Sequence, residues 1–401
     1  MQALSVYHQH NLLYTQEALS RYKPGGYHPV ALGDTFKNGR YTVHHKLGWG
    51  GFSTVWLAHD GKTNQWVSLK IITADNPQHP QIRELDNFHL LESRADAEEG
   101  LAANYIVQLL DEFTHEGPNG IHRCLVFELL GPSLDKIIGE YHDGGDCLEP
   151  ETILRISRQI LEGIKFVHDA GMGHGDISGA NIAFGCSGLT NATRDEVLRV
   201  LGQPEAEDLI RLDGQPLAEG LPRQIVKATD WEEWIEEDEE DIRLLDLGEA
   251  FLQSDRPITK LAQPGNLRVP ETVFVERFDY RVDLYRAGCV IHALVFGSYP
   301  FYYLGDDDVL VAQMIGFVET LPEQWRPKWE QMKLNSRYQD TKEDQPLELQ
   351  TKFDARVGDA SLVCLIPIMM GLMRFLPAER MEAAEALDLL EASQEGDQIN
   401  E

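Results

Sequence analysis

The first third of the chain alternates apolar and polar residues in short runs, a pattern typical of β-strands. Five such runs cover 41–47, 52–59, 65–72, 106–113 and 124–128. The Asp60-Gly61 pair between the second and third runs is a turn signal, and the pattern becomes helical at 80–94. The pattern predicts a small, mostly antiparallel sheet that carries one helix.

After Gly131-Pro132 the apolar residues recur at the spacing of a helix with one buried face. These helical patterns cover 149–169, 283–296, 307–318, 360–374 and 381–392. A sheet-rich part followed by a helical part predicts an α+β fold. We predict four parts, namely a leader at 1–40, a sheet-rich lobe at 41–130, a helical lobe at 131–392 and a tail at 393–401.

The helical lobe is interrupted at 185–243 by a segment that has the composition of an insert. It contains glycine, proline and asparagine breaks, and eight of the ten residues at 232–241 are acidic. A block of like charge is usually solvated. We therefore expect much of 231–241 to be poorly ordered.

The net charge of the chain is strongly negative, with 35 Lys and Arg against 66 Asp and Glu. Such a surface repels nucleic acid and anionic membranes and attracts basic partners. Acidity can equally serve solubility alone. The charge becomes informative only if the chemistry requires a basic substrate.

The five cysteines are scattered and show no C-x-x-C spacing, which argues against a disulfide framework or structural zinc. The first 26 residues lack the apolar run of a secretory signal. Together these features predict a reducing environment, so we expect the chain in the cytoplasm, the nucleus or both.

A glycine-rich turn joins the first two strand-like runs. Its residues are Gly48, Trp49, Gly50, Gly51, Phe52, Ser53 and, after Thr54, Val55. Glycines let a backbone approach a polyphosphate closely and offer N–H donors to it. Lys70 ends the next strand, where a phosphate would balance its charge. Taken singly, a hairpin turn and a strand-end lysine exposing its ammonium are the simpler explanations.

Two later segments carry carboxylates and an amide suited to phosphate chemistry. In the loop after the long helix, Asp176 precedes Asn181 by five residues, so that the acid can orient a hydroxyl while the amide binds a metal. Asp246 then ends a short apolar strand. Asn181 and Asp246 offer the oxygen ligands that Mg²⁺ prefers.

In this order, the glycine turn, Lys70, Asp176 with Asn181, and Asp246 resemble the signature set of protein kinases. Small-molecule kinases share part of this set. However, Arg268-Val269-Pro270-Glu271 resembles the end of a protein-kinase activation segment. The resemblance implies that Glu271 pairs with Arg380 and that Asp283 supports the catalytic loop.

More narrowly, the chain resembles the SR-protein kinase family, and in particular its compact fungal members, over about 27–390. The match is carried by Tyr27-His28-Pro29-Val30, Gly33-Asp34, Gly39-Arg40-Tyr41, Lys46-Leu47-Gly48-Trp49-Gly50 and Val126-Phe127-Glu128. The resemblance implies a two-lobed kinase fold and ATP- and Mg²⁺-dependent phosphorylation of serines in Arg-Ser repeats of SR-type splicing factors, as in mRNA splicing regulation. From the acidic charge we expect no direct nucleic-acid or membrane partner, and we expect a monomer.

The resemblance also assigns roles to individual residues. Lys70 would bind the α- and β-phosphates, and Asp176 would orient the serine hydroxyl as the base. Asn181 and Asp246 would bind Mg²⁺, and residues 48–55 would cover the phosphates. The stretch from Glu128 to Leu130 would form the hinge strand beneath the adenine.

Three positions depart from the family pattern. Ser178 stands where a catalytic-loop lysine is usual, and the sequence shows no substitute for that charge. Either Glu84 or Asn87 occupies the place of the acid that pairs with Lys70. Gly175 replaces an arginine that binds a phosphorylated activation loop, so we expect activity without such phosphorylation.

These departures leave two alternatives open, a catalytically weak kinase fold that acts as a scaffold and a small-molecule kinase. Substrate docking is a further open question. Asp306, Asp307 and Asp308 stand where the family keeps docking acids, whereas Ile315 or Gly316 occupies the second docking position. Acids at a helix N-terminus also have a purely structural explanation.

Overall fold

The computed structural model forms two compact units. It describes residues 4–74, 82–94, 105–234, 236–254, 258–262, 264–334 and 346–398. The first unit, called the sheet unit, comprises Met1–Ile82, Val107–Pro132 and Phe184–Glu240. The second, called the helical unit, comprises Arg83–Ile106, Ser133–Ala183 and Asp241–Glu401.

The sheet unit is built on six antiparallel strands in the order β1-β2-β3-β4-β6-β5. Their bounds are β1 Thr35–Phe36, β2 Tyr41–Trp49, β3 Ser53–Asp60, β4 Gln65–Ile72, β5 Leu109–Gly117 and β6 Gly120–Glu128. Strands β2, β3 and β4 agree with the first three strand-like runs of the sequence, whereas β5 lies a few residues after the run at 106–113, β6 begins before the run at 124–128 and β1 was not predicted. The pairing of Val55 with Lys70, and of Lys70 with Leu125, sets the register of the central strands.

Both faces of the sheet are buried. Along β4, Val67, Leu69 and Ile71 join one apolar cluster, while Trp66 joins another. Successive strand residues point to opposite faces, so two clusters on one strand mean that both faces are covered. The burial along β3 and β4 is accordingly almost continuous.

The covering is supplied by the leader and by the segment that the sequence marks as an insert. The leader contains helix α1 (Leu12–Thr15), and the insert contributes β9 (Ala206–Asp208) and β10 (Gln224–Val226). Leader and insert share a third apolar cluster, made by Tyr7, Leu12, Leu13, Leu19, Tyr22, Tyr27, Leu209, Leu221 and Ile225.

The sequence places the insert at 185–243 within the helical lobe, whereas the structure groups Phe184–Glu240 with the sheet. The reason is packing, because the indole nitrogen of Trp66 donates to the Ala192 carbonyl at 2.8 Å and Trp231 is buried beside it. The expectation of poor order over 231–241 therefore does not hold for its first residues.

The helical unit contains ten α-helices among the described residues. Those before residue 300 are α2 Ile82–Glu92, α3 Leu134–Gly144, α4 Pro150–Asp169, α6 Glu271–Phe274 and α7 Val282–Phe296. Helix α5 (Arg194–Leu201) belongs to the insert and therefore to the sheet unit. Those after residue 300 are α8 Asp307–Met314, α9 Arg326–Lys333, α10 Glu348–Arg356, α11 Leu365–Leu372 and α12 Ala383–Gln398. The last helix runs further than the sequence pattern predicts.

Helix α7 is the centre of the helical unit. All of its residues except Phe296 are buried, which is why its sequence lacks a polar face. Helices α4 and α11 pack on it, and α12 packs on α4. Among the described helices, none combines the length and the apolar character needed to cross a bilayer.

Short strand pairs position the loops at one edge of the helical unit. Strand β7 (Met172–Gly173) pairs with β12 (Phe251–Leu252), and β8 (Ile182–Phe184) pairs with β11 (Ile242–Leu244). The loop between β7 and β8 and the loop between β11 and β12 are therefore neighbours. These two loops contain the predicted catalytic and metal residues of this unit.

Candidate active site

The glycine-rich turn joins β2 to β3, and the Gly50 N–H closes it on the Ser53 carbonyl at 2.9 Å. An added Cβ at Gly48, Gly50 or Gly51 would meet no protein atom within 4 Å. The φ angles of these three glycines also lie outside the left-handed region. Neither packing nor backbone conformation therefore requires glycine at these positions. Glycines of this kind are expected in a turn whose backbone comes close to a ligand.

Two side chains of the leader contact this turn. The Tyr27 hydroxyl donates to the Gly50 carbonyl at 2.5 Å, and the Arg21 guanidinium donates to the Gly51 carbonyl. The same guanidinium lies 5.2 Å from the centre of the Tyr27 ring. Both contacts use carbonyl groups, so the N–H groups of the turn are not consumed by them.

Lys70 lies in β4 between Leu69 and Ile71, which join the cluster on one face of the sheet. Alternation directs the Lys70 side chain to the other face, together with Ser68. Its side chain is half-buried. The Glu128–Leu130 stretch begins at the last residue of β6. The Glu128 carboxylate accepts the Gln108 N–H at 2.9 Å, and the Glu128 N–H donates to the Gln108 carbonyl at 3.2 Å.

In the helical unit, the loop between β7 and β8 brings Asp176 and Asn181 into contact. The Asn181 Nδ2 atom donates to the Asp176 carboxylate at 2.7 Å and to the Asp176 carbonyl at 2.9 Å. Because Nδ2 makes both contacts, Oδ1 is the atom of this side chain that can bind a metal. The five-residue spacing thus brings the predicted catalytic acid into contact with the predicted metal ligand.

Asp283 holds the loop in place and lies fully buried in the first turn of α7. Its carboxylate accepts the N–H groups of His174 and Gly175 at 2.7 and 2.8 Å. The ring of His168 donates to it at 3.1 Å. Burial alone would raise the pKa of Asp283, but His168, His174 and the Gly175 N–H together hold it below its usual value. The expected supporting role of Asp283 is confirmed.

Asp246 follows β11 and adopts a left-handed conformation with φ of 58°. Its carboxylate accepts the Gly248 N–H at 3.2 Å. Two contacts connect its strand to the catalytic loop, since the Leu245 N–H donates to the Asn181 carbonyl at 2.8 Å and the His174 ring donates to the Leu245 carbonyl at 3.0 Å. The structure thereby places Asp246 beside the Asp176–Asn181 pair.

The surroundings of Asp176 include groups that raise its pKa and groups that lower it. Burial raises the pKa of Asp176, and the Asp246 charge adds to this effect. The Arg286 charge, His174 and the hydrogen bond from Asn181 oppose the rise. Burial also raises the pKa of Glu249, with the Asp176 charge as the next cause. Several carboxylates therefore share this edge of the unit.

An amide oxygen and one or two carboxylates form a donor set that fits magnesium, which usually completes its shell with water and substrate phosphates. Asn181 and Asp246 provide this set. Within the described part of the chain, no three His, Cys, Asp or Glu side chains converge as metal ligands. The two side chains thus suit a metal whose shell is completed by water and phosphate oxygens.

Ser178, which replaces the usual lysine, has a structural role in the loop. Its hydroxyl accepts the Asn181 N–H at 3.3 Å and so caps the turn that carries Asn181. The next residue, Gly179, donates its N–H to the Tyr299 hydroxyl at 3.0 Å, and Tyr299 in turn donates to Asp135 at 2.6 Å. Sequence spacing gave no sign of Tyr299 or Asp135.

The structure separates the roles of Glu84 and Asn87 on α2. The Asn87 amide donates to the carbonyls of Leu247 and Ala250 at 2.9 and 3.2 Å, directly after Asp246. Glu84 is fully buried. Asn87 is thus a backbone anchor for the segment after Asp246, and the pairing of Glu84 with Lys70 stays a prediction.

The expected pair of Glu271 and Arg380 is confirmed. Two parallel hydrogen bonds of 2.7 Å join the guanidinium to the carboxylate, and both side chains are buried. Arg380 also donates to the carbonyls of Arg281 and Arg374 at 2.9 Å. By contrast, Asp307 lies 3.3 Å from Arg268 at the start of α8, a structural contact that weakens the case for a docking acid there.

Comparison with known proteins supports this arrangement. A family model described as the protein kinase domain matches residues 41–188. The serine/threonine-protein kinase SRPK of Physarum polycephalum is 30% identical over 313 residues, which cover 71% of this chain and 67% of that protein. The serine/threonine-protein kinase SKY1 of Saccharomyces cerevisiae is 42% identical over 172 residues.

The SKY1 alignment covers 42% of this chain and 23% of SKY1. The human SRSF protein kinase 3 is 41% identical over 170 residues, which cover 42% of this chain and 29% of that kinase. The alignments to these two relatives thus span less than a third of their length. A crystal structure of a kinase domain superimposes with a TM-score of 0.61 at 19% identity, covering 90% of this chain and 98% of that one. This likeness confirms the α+β kinase fold.

Proposed function

The chain belongs to the SR-protein kinase family, and we propose that it is an active serine/threonine kinase that phosphorylates serines in basic, Arg-Ser-rich protein segments. One observation carries the proposal. Asp176 and Asn181 are hydrogen-bonded at 2.7 Å on a loop that the buried Asp283 supports, with Asp246 beside them. Members of the protein kinase family use ATP with a divalent metal, generally Mg²⁺.

In the sheet unit, the turn at 48–55 and Lys70 would bind the triphosphate of ATP. Backbone N–H groups of a glycine turn and a lysine on the adjacent strand are the donors that this role requires. The backbone groups at the end of β6 and directly after it, from Glu128 to Leu130, would contact the adenine. The open space around Gly48, Gly50 and Gly51 supports this assignment.

In the helical unit, Asp176 would orient the serine hydroxyl and accept its proton. The hydroxyl oxygen then forms a bond to the γ-phosphorus, the bond from that phosphorus to the bridging oxygen breaks, and ADP leaves. The Asn181 hydrogen bond holds the Asp176 carboxylate in one orientation. Correct placement of this kind is a large part of the catalytic effect, because phosphoryl transfer needs little covalent chemistry from the protein.

Asn181 and Asp246 would bind magnesium through their side-chain oxygens. Magnesium, when bound, neutralises charge on the phosphate oxygens. The Gly248 N–H bond to the Asp246 carboxylate fixes that side chain near its own loop.

The net charge of −31 supports a basic substrate. A protein with this field attracts Arg-rich segments and increases their rate of association at low salt. The names of the relatives fit this class, since one of them is an SRSF protein kinase. SR-type splicing factors are thus the proposed partners.

The test is phosphate transfer from ATP and Mg²⁺ to an Arg-Ser repeat peptide, with an acidic serine peptide and an Asp176→Asn variant as controls. We expect transfer to the basic peptide only, reduced at least about 1000-fold in the variant. Equal transfer to both peptides would remove the substrate assignment but keep the kinase. Transfer to water or a small alcohol without any peptide preference would favour a small-molecule kinase.

A scaffold without catalysis is the second candidate, and Ser178 is the observation that favours it. Its hydroxyl caps the Asn181 turn instead of supplying a cation near the phosphate. The scaffold predicts that ATP and Mg²⁺ raise the melting temperature although no peptide is phosphorylated. If so, a Ser178→Lys variant should gain activity.

A further inference from the structure

Arg286 is a buried charge that the sequence motifs do not explain. It lies on α7 three residues after Asp283, and its side chain has no exposed surface. An isolated buried guanidinium is costly, so its partners define what it does. Among the described residues these partners come from the catalytic loop and from the segment 246–271.

On the catalytic loop, Arg286 contacts two successive residues. Its Nη1 atom donates to the Gly175 carbonyl at 2.6 Å and lies 3.7 Å from Oδ1 of Asp176. Asn181 binds the other carboxylate oxygen, Oδ2. Arg286 and Asn181 thus contact the Asp176 carboxylate at different oxygens.

On the segment 246–271, Arg286 contacts two carbonyl groups. Its Nη2 atom donates to the Ala262 carbonyl, and its Nε atom donates to the Leu267 carbonyl at 3.3 Å. A guanidinium can satisfy these acceptors together because its five donors lie in a rigid plane. A lysine has one nitrogen and cannot reach all of them.

Gly175 explains why the charge comes from α7. Its φ is +77°, and an added Cβ would lie 2.5 Å from the Glu249 carbonyl oxygen. A side chain at this position is therefore disfavoured by both backbone strain and space. The cation that meets this carbonyl and carboxylate comes instead from the neighbouring helix.

We propose that Arg286 is a positioning residue for phosphoryl transfer, which couples the orientation of Asp176 to the placement of the segment 246–271 without phosphorylation of that segment. The proposal rests on the proposed kinase function for its catalytic part. Its structural part, the tether of Ala262 and Leu267, stands on the contacts alone. Arg286 supplies a positive charge beside Asp176 in a loop that has Gly175 and Ser178 instead of basic residues.

The test compares Arg286→Met and Arg286→Lys with His292→Leu. His292 is also buried on α7, but its ring bonds to the Ser298 carbonyl at 2.8 Å, so its loss perturbs the same helix elsewhere. Each variant is assayed below its melting temperature, with kcat expressed per folded molecule. The peptide is the Arg-Ser repeat, and the unphosphorylated state of the enzyme is checked by mass.

We expect Arg286→Met to lower kcat about 100-fold, the loss typical of one positioned electrostatic donor, while the KM for ATP changes less than about threefold. Arg286→Lys should recover part of the loss, to within about tenfold of the parent, because it keeps the charge but fewer of the bonds. His292→Leu should keep kcat within about twofold. Equal kcat values for Arg286→Met and His292→Leu would overturn the positioning role. A change in Arg286→Met that is confined to the KM for ATP would overturn it as well.

Hydrogen exchange separates this proposal from the proposed function. Amides of 258–262 and 264–268 should exchange at least about tenfold faster in Arg286→Met than in the parent, without any substrate. If the parent proves inactive but this exchange increases, the kinase assignment fails and the tether survives. If the exchange rates are unchanged in both Arg286→Met and Arg286→Lys, the tether is wrong. If Arg286→Met does not fold, unchanged exchange in Arg286→Lys decides against the tether in the same way.

Discussion

The two units support their parts of the candidate site by different means. In the sheet unit, the glycine turn and Lys70 lie on strands whose two faces are covered by apolar side chains of the leader and the insert. In the helical unit, the loop that carries Asp176 is held by charged groups of one central helix. Asp283 accepts two of its N–H groups, and Arg286 donates to one of its carbonyls.

The difference has an energetic consequence. Apolar burial is non-directional and tolerates replacement by other apolar groups of similar volume. A carboxylate that accepts backbone N–H groups tolerates no apolar replacement, because the N–H groups would remain buried without acceptors. The sheet unit should therefore accept changes that the helical unit does not.

The largest effect is expected for Asp283→Ala, which removes the acceptor of the His174 and Gly175 N–H groups. Two buried N–H groups without partners cost about 2–6 kcal/mol of unfolding free energy, and we expect about 4. Denaturant unfolding measures this loss. Asp283→Asn keeps one acceptor, so its free energy of unfolding should lie between those of the parent and the Ala variant. An Asn variant as unstable as the Ala variant would contradict the explanation.

The next effect is expected for Glu17→Ala in the leader. Glu17 forms a buried ion pair with Lys46 and accepts the Tyr22 hydroxyl at 2.5 Å. Leaving Lys46 buried without its partner should cost about 3 kcal/mol. Here the sheet unit resembles the helical unit in burying a charged side chain that needs a partner.

A second substitution at this pair distinguishes the two units. Lys46 pairs with the Glu17 side chain and also donates to the Val226 carbonyl at 3.2 Å. The double variant Glu17→Leu with Lys46→Met leaves no buried charge without a partner, so it should recover most of the stability. A double-mutant cycle in chemical denaturation measures the recovery. A double variant as unstable as Glu17→Ala would show that the buried charges of both units are equally irreplaceable.

A smaller effect is expected for Leu201→Ala at the end of helix α5. Leu201 is buried in the cluster that the insert forms on the sheet. Removing three carbons from a packed site typically costs 2–5 kcal/mol, and at the end of a short helix we expect about 2. Arg199→Ala is the control, since Arg199 is mostly exposed and should change stability by less than about 0.5 kcal/mol. Similar values for the two variants would mean that the insert contributes little to the sheet unit.

The smallest effect on stability is expected for Gly50→Ala. An added Cβ meets nothing within 4 Å there, so stability should stay constant or rise by up to about 1 kcal/mol. The KM for ATP should rise about tenfold if the backbone approaches the phosphates. Gly61→Ala, in the next turn, is the matched control and should leave the KM unchanged. An unchanged KM in both variants would argue against phosphate binding by this turn.

Local spacing was sufficient to predict the elements that carry the site. The long helix α4 and three of the five strand runs were placed nearly as observed, whereas the run at 106–113 lies a few residues before β5 and the run at 124–128 covers only the second half of β6. Period is a property of neighbouring residues, but the ends of an element depend on its partners. The pair of Glu271 and Arg380 was also predicted, since a family resemblance supplies a long-range contact that spacing does not.

Contacts between distant segments could not be predicted in this way. The insert was assigned to the helical lobe by its position in the chain, whereas its apolar residues, such as Leu201 and Trp231, pack on the sheet. Its acidic composition indicated solvation, but a few buried aromatic residues decided where it lies. The pairing of Glu17 with Lys46, 29 residues apart, had no sequence signal either.

The sequence by itself determined the fold class, the family and the order of the residues proposed to bind ATP and magnesium, because each of these depends on residue type and local spacing. Only the tertiary structure decided how those residues are held. Arg286 shows the reason most clearly, since one buried guanidinium meets Gly175, Asp176, Ala262 and Leu267, which are brought together by folding and by nothing in their spacing.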